Sequence, residues 1–355
     1  MPLSARLAAP LIAILAVAVA LSGCAADAES TGGGGAAANK SNVATGQEGF
    51  SDVRKLAAQL GTDAKDGEFP RDVRNIVANG KVGITTIPER PERVIVLDTG
   101  ELDNMLALGV KPIGIAHPAE AAIAPDYLDA GDAVDLGPYD ALDLEQIKNL
   151  EPDLIIGSSL RIDDDGLKKK LQEIAPTVLS PRPGVLWKED FLLFAAAVGE
   201  KAKAQSLLDA YEKRAAEIGE KVVEANGGKA PTISMLRFMA GRIRLYANDS
   251  FIGIILADAG LPRTETEDVD ELAVEISAEE ITRAEGDWLL WGTYGDAAAT
   301  EQAAVVDGPL WGQVKAVADD GVVKQVSDET WYLGLGVEGA QLVLDDLEAI
   351  AAGRR

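Results

Sequence analysis

The side chains able to do chemistry in this 355-residue chain are arginines and aromatics that follow apolar runs, where strands read from the sequence would end. Thr99 and Gly100, Ser158 to Arg161, Arg182, Arg237, Trp291 with Tyr294, and Trp331-Tyr332 hold such positions, and Tyr139 stands just before a predicted helix. In open α/β sheets ligands sit outside the carboxyl ends of the strands. Arginine offers rigid donors to anionic oxygens, and Trp and Tyr offer flat apolar area with little entropy to lose. A cleft lined by Tyr139, Ser159, Arg161, Arg182, Arg237, Trp291, Tyr294, Trp331 and Tyr332 suits a bulky, partly apolar, oxygen-rich ligand. Trp187, Trp288 and Trp311 are assigned to packing.

Catalytic and metal chemistry finds little support. His117 is the only histidine, too few nitrogens for a zinc or manganese site. A surface loop is the expected place for it, with an axial haem ligand as the minority alternative. A Ser-His-Asp triad could use only His117, and no Gly-x-Ser-x-Gly elbow occurs. Asp163-Asp164-Asp165-Gly166 has the wrong spacing for a calcium loop and reads as the cap of a helix. Gly334-x-Gly336-x-x-Gly339 matches a dinucleotide fingerprint literally, yet only sixteen residues follow it. No second strand or ribose-binding acid can complete the unit, so a tight loop entering a closing helix is expected. No active site, resident metal or cofactor is predicted.

The elements that would position the arginines and aromatics form a pattern written twice. LDLEQIKNLEPDLIIG at 142–157 is echoed by ISAEEITRAEGDWLLW at 276–291, pairing Glu145 with Glu279 and Asp153 with Asp287. Asp143 with Gln146, and Ser277 with Glu280, read as capping boxes that open short helices, each feeding a buried strand. A second echo of strand, loop, helix and Gly-apolar links 93–110 with 232–261. Strands are also read near 112–116, 177–179, 243–246 and 322–326, with an edge hairpin at 81–87. The alternation with helices predicts mostly parallel sheets covered on both faces. Between the halves lies EKAKAQSLLDAYEKRAAEIGEKVVEA at 200–225, rich in good helix formers, with Leu207, Tyr211, Ile218 and Val222 on one stripe. The prediction is an α/β protein of two Rossmann-like lobes joined by one long α-helix.

At the N-terminus, Arg6 and the apolar run 11–21 form an export signal too short to remain as a membrane span. Leu21-Ser22-Gly23-Cys24 resembles the lipobox of bacterial lipoproteins, in which the cysteine is acylated, and Cys24 is the only cysteine. The organisation read is a signal at 1–23, a flexible tether at 24–50, an N-terminal lobe at 51–186 and a linking helix region at 187–228. A C-terminal lobe at 229–335 and a closing helix at 336–355 complete it. A formal net charge of −25 disfavours nucleic acid and anionic membrane surfaces as partners.

The lipobox, the tether, PERVIVLDTGELDNMLALGVKPIG, LEQIKNLEPDLIIGSS, the single strut and PLWGQVKAV…VVKQV together resemble the substrate-binding proteins of iron-siderophore and vitamin B12 ABC importers. The likeness covers about 69–350, and its motifs are loose individually but distinctive in order. It implies two lobes about a shallow cleft, a connecting helix that limits hinge motion, and no enzyme activity. It implies a monomer, lipid-anchored through Cys24 outside the cytoplasm, that captures a ferric siderophore and hands it to a membrane permease working with an ATPase. Within the resemblance Tyr139 falls where a cleft tryptophan contacts ligand, and Arg161 lies in the matching post-strand loop. Arg237 stands where ferric-siderophore receptors keep an Arg or Trp, and Glu145 and Glu279 match glutamates that dock onto arginines of the two permease subunits. The mixture of arginines and aromatics departs from both the arginine-rich triscatecholate pattern and a purely aromatic one. A hydroxamate chelate is favoured, because an acidic protein tolerates a neutral or cationic ligand better than a trianionic one. A haem or corrinoid receptor is the alternative of the same fold, and an exported α/β enzyme using the glycine loop the rival of another class.

Overall fold

The computed structural model describes residues 43–44, 50–119 and 121–353. The predicted signal, Cys24 and most of the tether lie outside these residues. Among the described residues no helix is long and apolar enough to cross a membrane.

The N-terminal lobe holds a five-stranded sheet in the order Val134–Pro138, Gly114–His117, Val94–Val96, Leu154–Ser158, Thr177–Ser180, parallel throughout. The chain order reverses between Val94–Val96 and Leu154–Ser158, which opens a crevice at their carboxyl ends. Val94, Val96, Leu154 and Ile156 face one core, and Ile95, Leu97 and Ile155 the other. That two-sided burial explains why these strands read as unbroken apolar runs. Beside this sheet Arg71–Ile76 and Val82–Ile87 form an antiparallel hairpin, so the expected hairpin at 81–87 is only its second strand.

The C-terminal sheet is mixed. Its order is Val43–Ala44, Ala273–Ile276, Arg242–Tyr246, Ile233–Met239, Trp288–Thr293, Val322–Gln325. The last three pair in parallel, whereas Arg242–Tyr246 is antiparallel to both of its neighbours. The cause is a two-residue turn, Ala240-Gly241, with Gly241 at φ +67°. Such a connection can only make a hairpin, since a parallel crossover needs a dozen residues or more. The parallel α/β character lies in the three strands that correspond to the N-terminal switch point.

The sequence echo is a structural one. Asp153 accepts the Glu92 and Arg93 backbone N–H groups at 2.8 and 2.9 Å. Its counterpart Asp287 accepts the Thr232 N–H and hydroxyl at 2.9 and 3.0 Å. Each aspartate ties the start of one strand to the start of its neighbour in the same place in each lobe. The caps differ from expectation. Asp143 accepts from Glu145 and Gln146 N–H, but the Gln146 amide turns to the Asp135 carbonyl at 3.2 Å, leaving that box half made. In the other lobe Glu280 does accept the Ser277 N–H at 3.0 Å, although the turn is 3₁₀ rather than α.

The strut is one helix, Lys201–Ala225, about 37 Å long at 1.5 Å per residue. Its buried stripe is Ala204, Leu208, Tyr211, Ala215, Ile218 and Val222, with Leu208 rather than Leu207 facing inward. Trp187 stacks edge-on against Tyr211, ring centroids 5.0 Å apart, as its packing role requires. The closing helix Val337–Ala351 lies along the strut, joined by Arg214 to Gln341 and Asp345 and by Lys221 to Glu348. The glycine loop before it carries no nucleotide-binding unit: Asp103 of the opposite lobe accepts the Glu338 and Gly339 N–H groups, each at 2.9 Å.

Candidate functional site

A cavity of about 270 Å³ lies between the two switch points, lined by residues of both lobes. Among the described residues four arginines, Arg161, Arg182, Arg237 and Arg244, reach its wall, and no carboxylate does. Tyr139, Tyr246, Tyr294 and Tyr332 supply flat walls, with Phe251, Leu333 and Leu335 below.

Each lobe builds its arginine from behind in the same way. In the N-terminal lobe Asp98 follows Val94–Val96 and caps the helix Thr99–Ala107. Its second oxygen accepts Arg161 Nε at 2.7 Å, and the guanidinium lies 4.9 Å from the Tyr139 ring centroid. Burial works most strongly against the Arg161 charge, but Asp98, Tyr139 and Glu101 together outweigh it, so the side chain stays cationic. In the C-terminal lobe Asp328 accepts Arg237 Nε and Nη2 at 2.7 and 2.5 Å, while Nη1 donates to the Tyr246 hydroxyl at 2.9 Å. The Arg237 guanidinium sits 4.8 and 5.0 Å from the Tyr294 and Tyr332 rings. Arginine has five N–H donors. Among the described residues Arg161 gives one to the protein and Arg237 three, so Arg161 has more left for a ligand.

Behind Asp98, Glu101 is 2% exposed, and burial first, then the Asp98 charge, push its carboxyl up to about 8. Both causes favour its neutral, protonated form over a second negative charge beside Asp98.

Of the residues read from sequence, Tyr139, Arg161, Arg182, Arg237, Tyr294, Trp331 and Tyr332 meet at this cavity. Trp331 does so only as floor, fully buried with its indole N–H on Asp346 at 2.9 Å. Tyr332 is also buried, its hydroxyl on the Leu236 carbonyl at 2.8 Å. Trp291 does not join them. Strand alternation turns it to the other face of the sheet, against Phe238 and Trp311. Ser159 lies in a neighbouring recess, its hydroxyl on the Pro181 carbonyl at 3.1 Å. Arg244 was missed, although the hairpin register places it directly opposite Arg237, with Glu275 as its partner at 2.9 Å.

His117 is not a surface loop residue. It ends strand Gly114–His117 at 8% exposure, with Nδ1 2.8 Å from the Pro118 carbonyl and Nε2 3.1 Å from Asp135. Both ring nitrogens are engaged, and His117 is outside the cleft wall, so an axial ligand to haem iron is the wrong role for it. Among the described residues no group of three His, Cys, Asp or Glu side chains is placed to hold a metal. Glu145 and Glu279 are exposed in the first turns of their matching short helices.

Two α/β lobes that present tyrosine-flanked arginines to one shared cavity define a ligand-capturing protein rather than a catalyst. The chain belongs to the periplasmic binding protein family, whose model matches residues 94–327. It is 31% identical over 275 residues to the probable siderophore-binding lipoprotein YfiY of Bacillus subtilis (strain 168), covering 74% of this chain and 83% of that one. It is 29% identical over 252 residues to the iron(3+)-hydroxamate-binding protein FhuD of the same organism, covering 68% and 76%. Its fold matches the crystal structure of Staphylococcus aureus SirA complexed with staphyloferrin B, with a TM-score of 0.70 and 25% identity over 79% of this chain and 98% of the other. These relatives are binding proteins, and the chain is not an enzyme by this kinship.

Proposed function

We propose that this protein is the substrate-binding component of an ABC importer, held outside the cytoplasm by a lipid on Cys24, and that it captures a ferric siderophore between its lobes. The observation that carries the reading is the cavity wall, which among the described residues holds four arginines and four tyrosines without a carboxylate. Iron chelates expose polarised oxygens over a bulky, partly apolar body, and such a wall serves both parts. The siderophore-related names of its relatives support the class of ligand.

The cavity's own charge favours a chelate with anionic oxygens, such as a carboxylate type. Net charge acts over the whole surface, whereas the guanidiniums act at contact distance, where a charge-assisted hydrogen bond contributes about 1.5–3 kcal/mol. A hydroxamate chelate is the second reading, favoured by the overall charge of −25 and by the likeness to FhuD. Delivery is to a permease with its ATPase, with Glu145 and Glu279 as docking residues and the receptor acting as a monomer.

Titration of the intrinsic tryptophan fluorescence with ferric citrate, a ferric hydroxamate, haem and cobalamin tests the proposal. Saturable quenching by a ferric chelate at one per chain is expected. A response to haem or cobalamin alone would replace the ligand class, and a response to none would remove the function.

A further inference from the structure

Beside the cleft lies a recess of about 250 Å³ that shares Leu160 and Arg182 with it. The cleft by itself falls just short of the usual size of ligand pockets, about 300–1,000 Å³. Where the cleft is walled by arginines and tyrosines, the recess is walled by charge of both signs: Lys168 and Arg182 with Asp163 and Asp165, beside Ser159 and Asn79.

We propose that this recess is a second compartment of the binding site and takes an arm of the chelate that carries both an ammonium and a carboxylate. This rests on the reading that the cleft itself takes a ferric chelate. Lys168 is 4% exposed, and among the described residues its ammonium meets two acceptors, the Asp163 carbonyl at 3.4 Å and Asp165 at 3.1 Å. An ammonium has three donors, which leaves one for a ligand carboxylate. Asp165 uses both oxygens on the Asn79 N–H, each at 2.9 Å, and so holds the Ala78–Gly80 turn as the outer wall. The Asp163 carboxylate is exposed and makes no side-chain hydrogen bond among the described residues, so it is the pole for an ammonium. An apolar arm would strip water from these charges without replacing it. A simple anion would meet Asp163 as well as the cations. The zwitterionic arm satisfies both.

The test compares ferric citrate with ferric citrate amide-linked through the ε-amine of lysine, whose free end is an amino-carboxylate. Dissociation constants are measured for the wild type, Lys168→Met and Asp163→Asn. One charge-assisted hydrogen bond corresponds to roughly tenfold or more in affinity, and that preference for the armed chelate is expected in the wild type. Each variant should lose it while binding plain ferric citrate as the wild type does. Asp163→Asn alters an exposed side chain and keeps the test sound if the buried Lys168→Met fails to fold. Equal preference in wild type and variants overturns the second compartment and leaves the cleft reading standing. Failure of both citrate chelates to bind the wild type overturns the compartment, and failure of a ferric hydroxamate as well overturns the cleft reading.

Discussion

Arg161 and Arg237 show how much a residue type says before its surroundings are known. Sequence identified both from their place after a strand, and both reach the cleft. Strand-end position does not say which way a side chain turns, and this is why Trp291 was misplaced: one step along a strand changes the face. Nor does sequence reveal the acids behind the arginines, because Asp98 and Asp328 come from distant segments. The buried carboxyl of Glu101 makes a prediction at this scale. Burial first and Asp98 second raise it from 4.5 to about 8, so the folded chain keeps a proton that the unfolded chain releases near its ordinary value. Stability is then fullest at low pH and falls as pH rises through this window, by about 1.4 kcal/mol per unit for one such group. Above about 8 its contribution is level. Glu101→Gln should flatten the fall in melting temperature between about pH 6 and 8. Parallel slopes for variant and wild type would show that Glu101 is ionised in the fold.

At the scale of elements, the long helix, the buried parallel strands and the internal echo were legible because each is written in periodicity or repetition. Ala273–Ile276 and Val134–Pro138 were not read as strands. They are four and five residues long, and charge or proline breaks their apolar pattern. The mixed C-terminal sheet is written in Ala240-Gly241, a link too short to join its flanking strands as anything but a hairpin. The strut also contains a glycine that helix propensity alone would replace. A Cβ on Gly219 would lie 1.8 Å from the Ala259 carbonyl oxygen. Glycine-to-alanine favours an isolated helix by about 1 kcal/mol, yet here the two elements would be forced apart. Gly219→Ala is expected to destabilise the protein by about 1–3 kcal/mol in denaturant melts, with chelate affinity of the folded fraction unchanged. A gain in stability would mean that the strut is not tightly seated there.

For the whole molecule, several ties besides the strut hold one lobe to the other. Thr99 donates its hydroxyl to the Leu333 carbonyl at 3.1 Å, and Asp103 caps the closing helix from across the boundary. Helix Phe50–Ala57 reaches the C-terminal lobe through Arg54 and Asp249. Such ties favour a body that presents a nearly fixed spacing of its two lobes to a partner. The matched exposed acids Glu145 and Glu279 suit that use, since paired surface charges govern orientation and encounter rate more than ligand affinity. Changing both to arginine should abolish iron uptake in cells while leaving chelate affinity and melting temperature nearly unchanged. Normal uptake with a small loss of stability would reduce both acids to helix-dipole partners. The cleft itself is tested most directly by titrating ferric citrate into the wild type, Arg161→Ala and Arg237→Ala, each shown by its melt to be folded. Arg161 has the more donors free of protein partners, so its loss should weaken binding by roughly 10–100-fold, and by more than the loss of Arg237. Unchanged affinity in folded Arg161→Ala would contradict the account, because the ligand would then be held somewhere other than between the lobes.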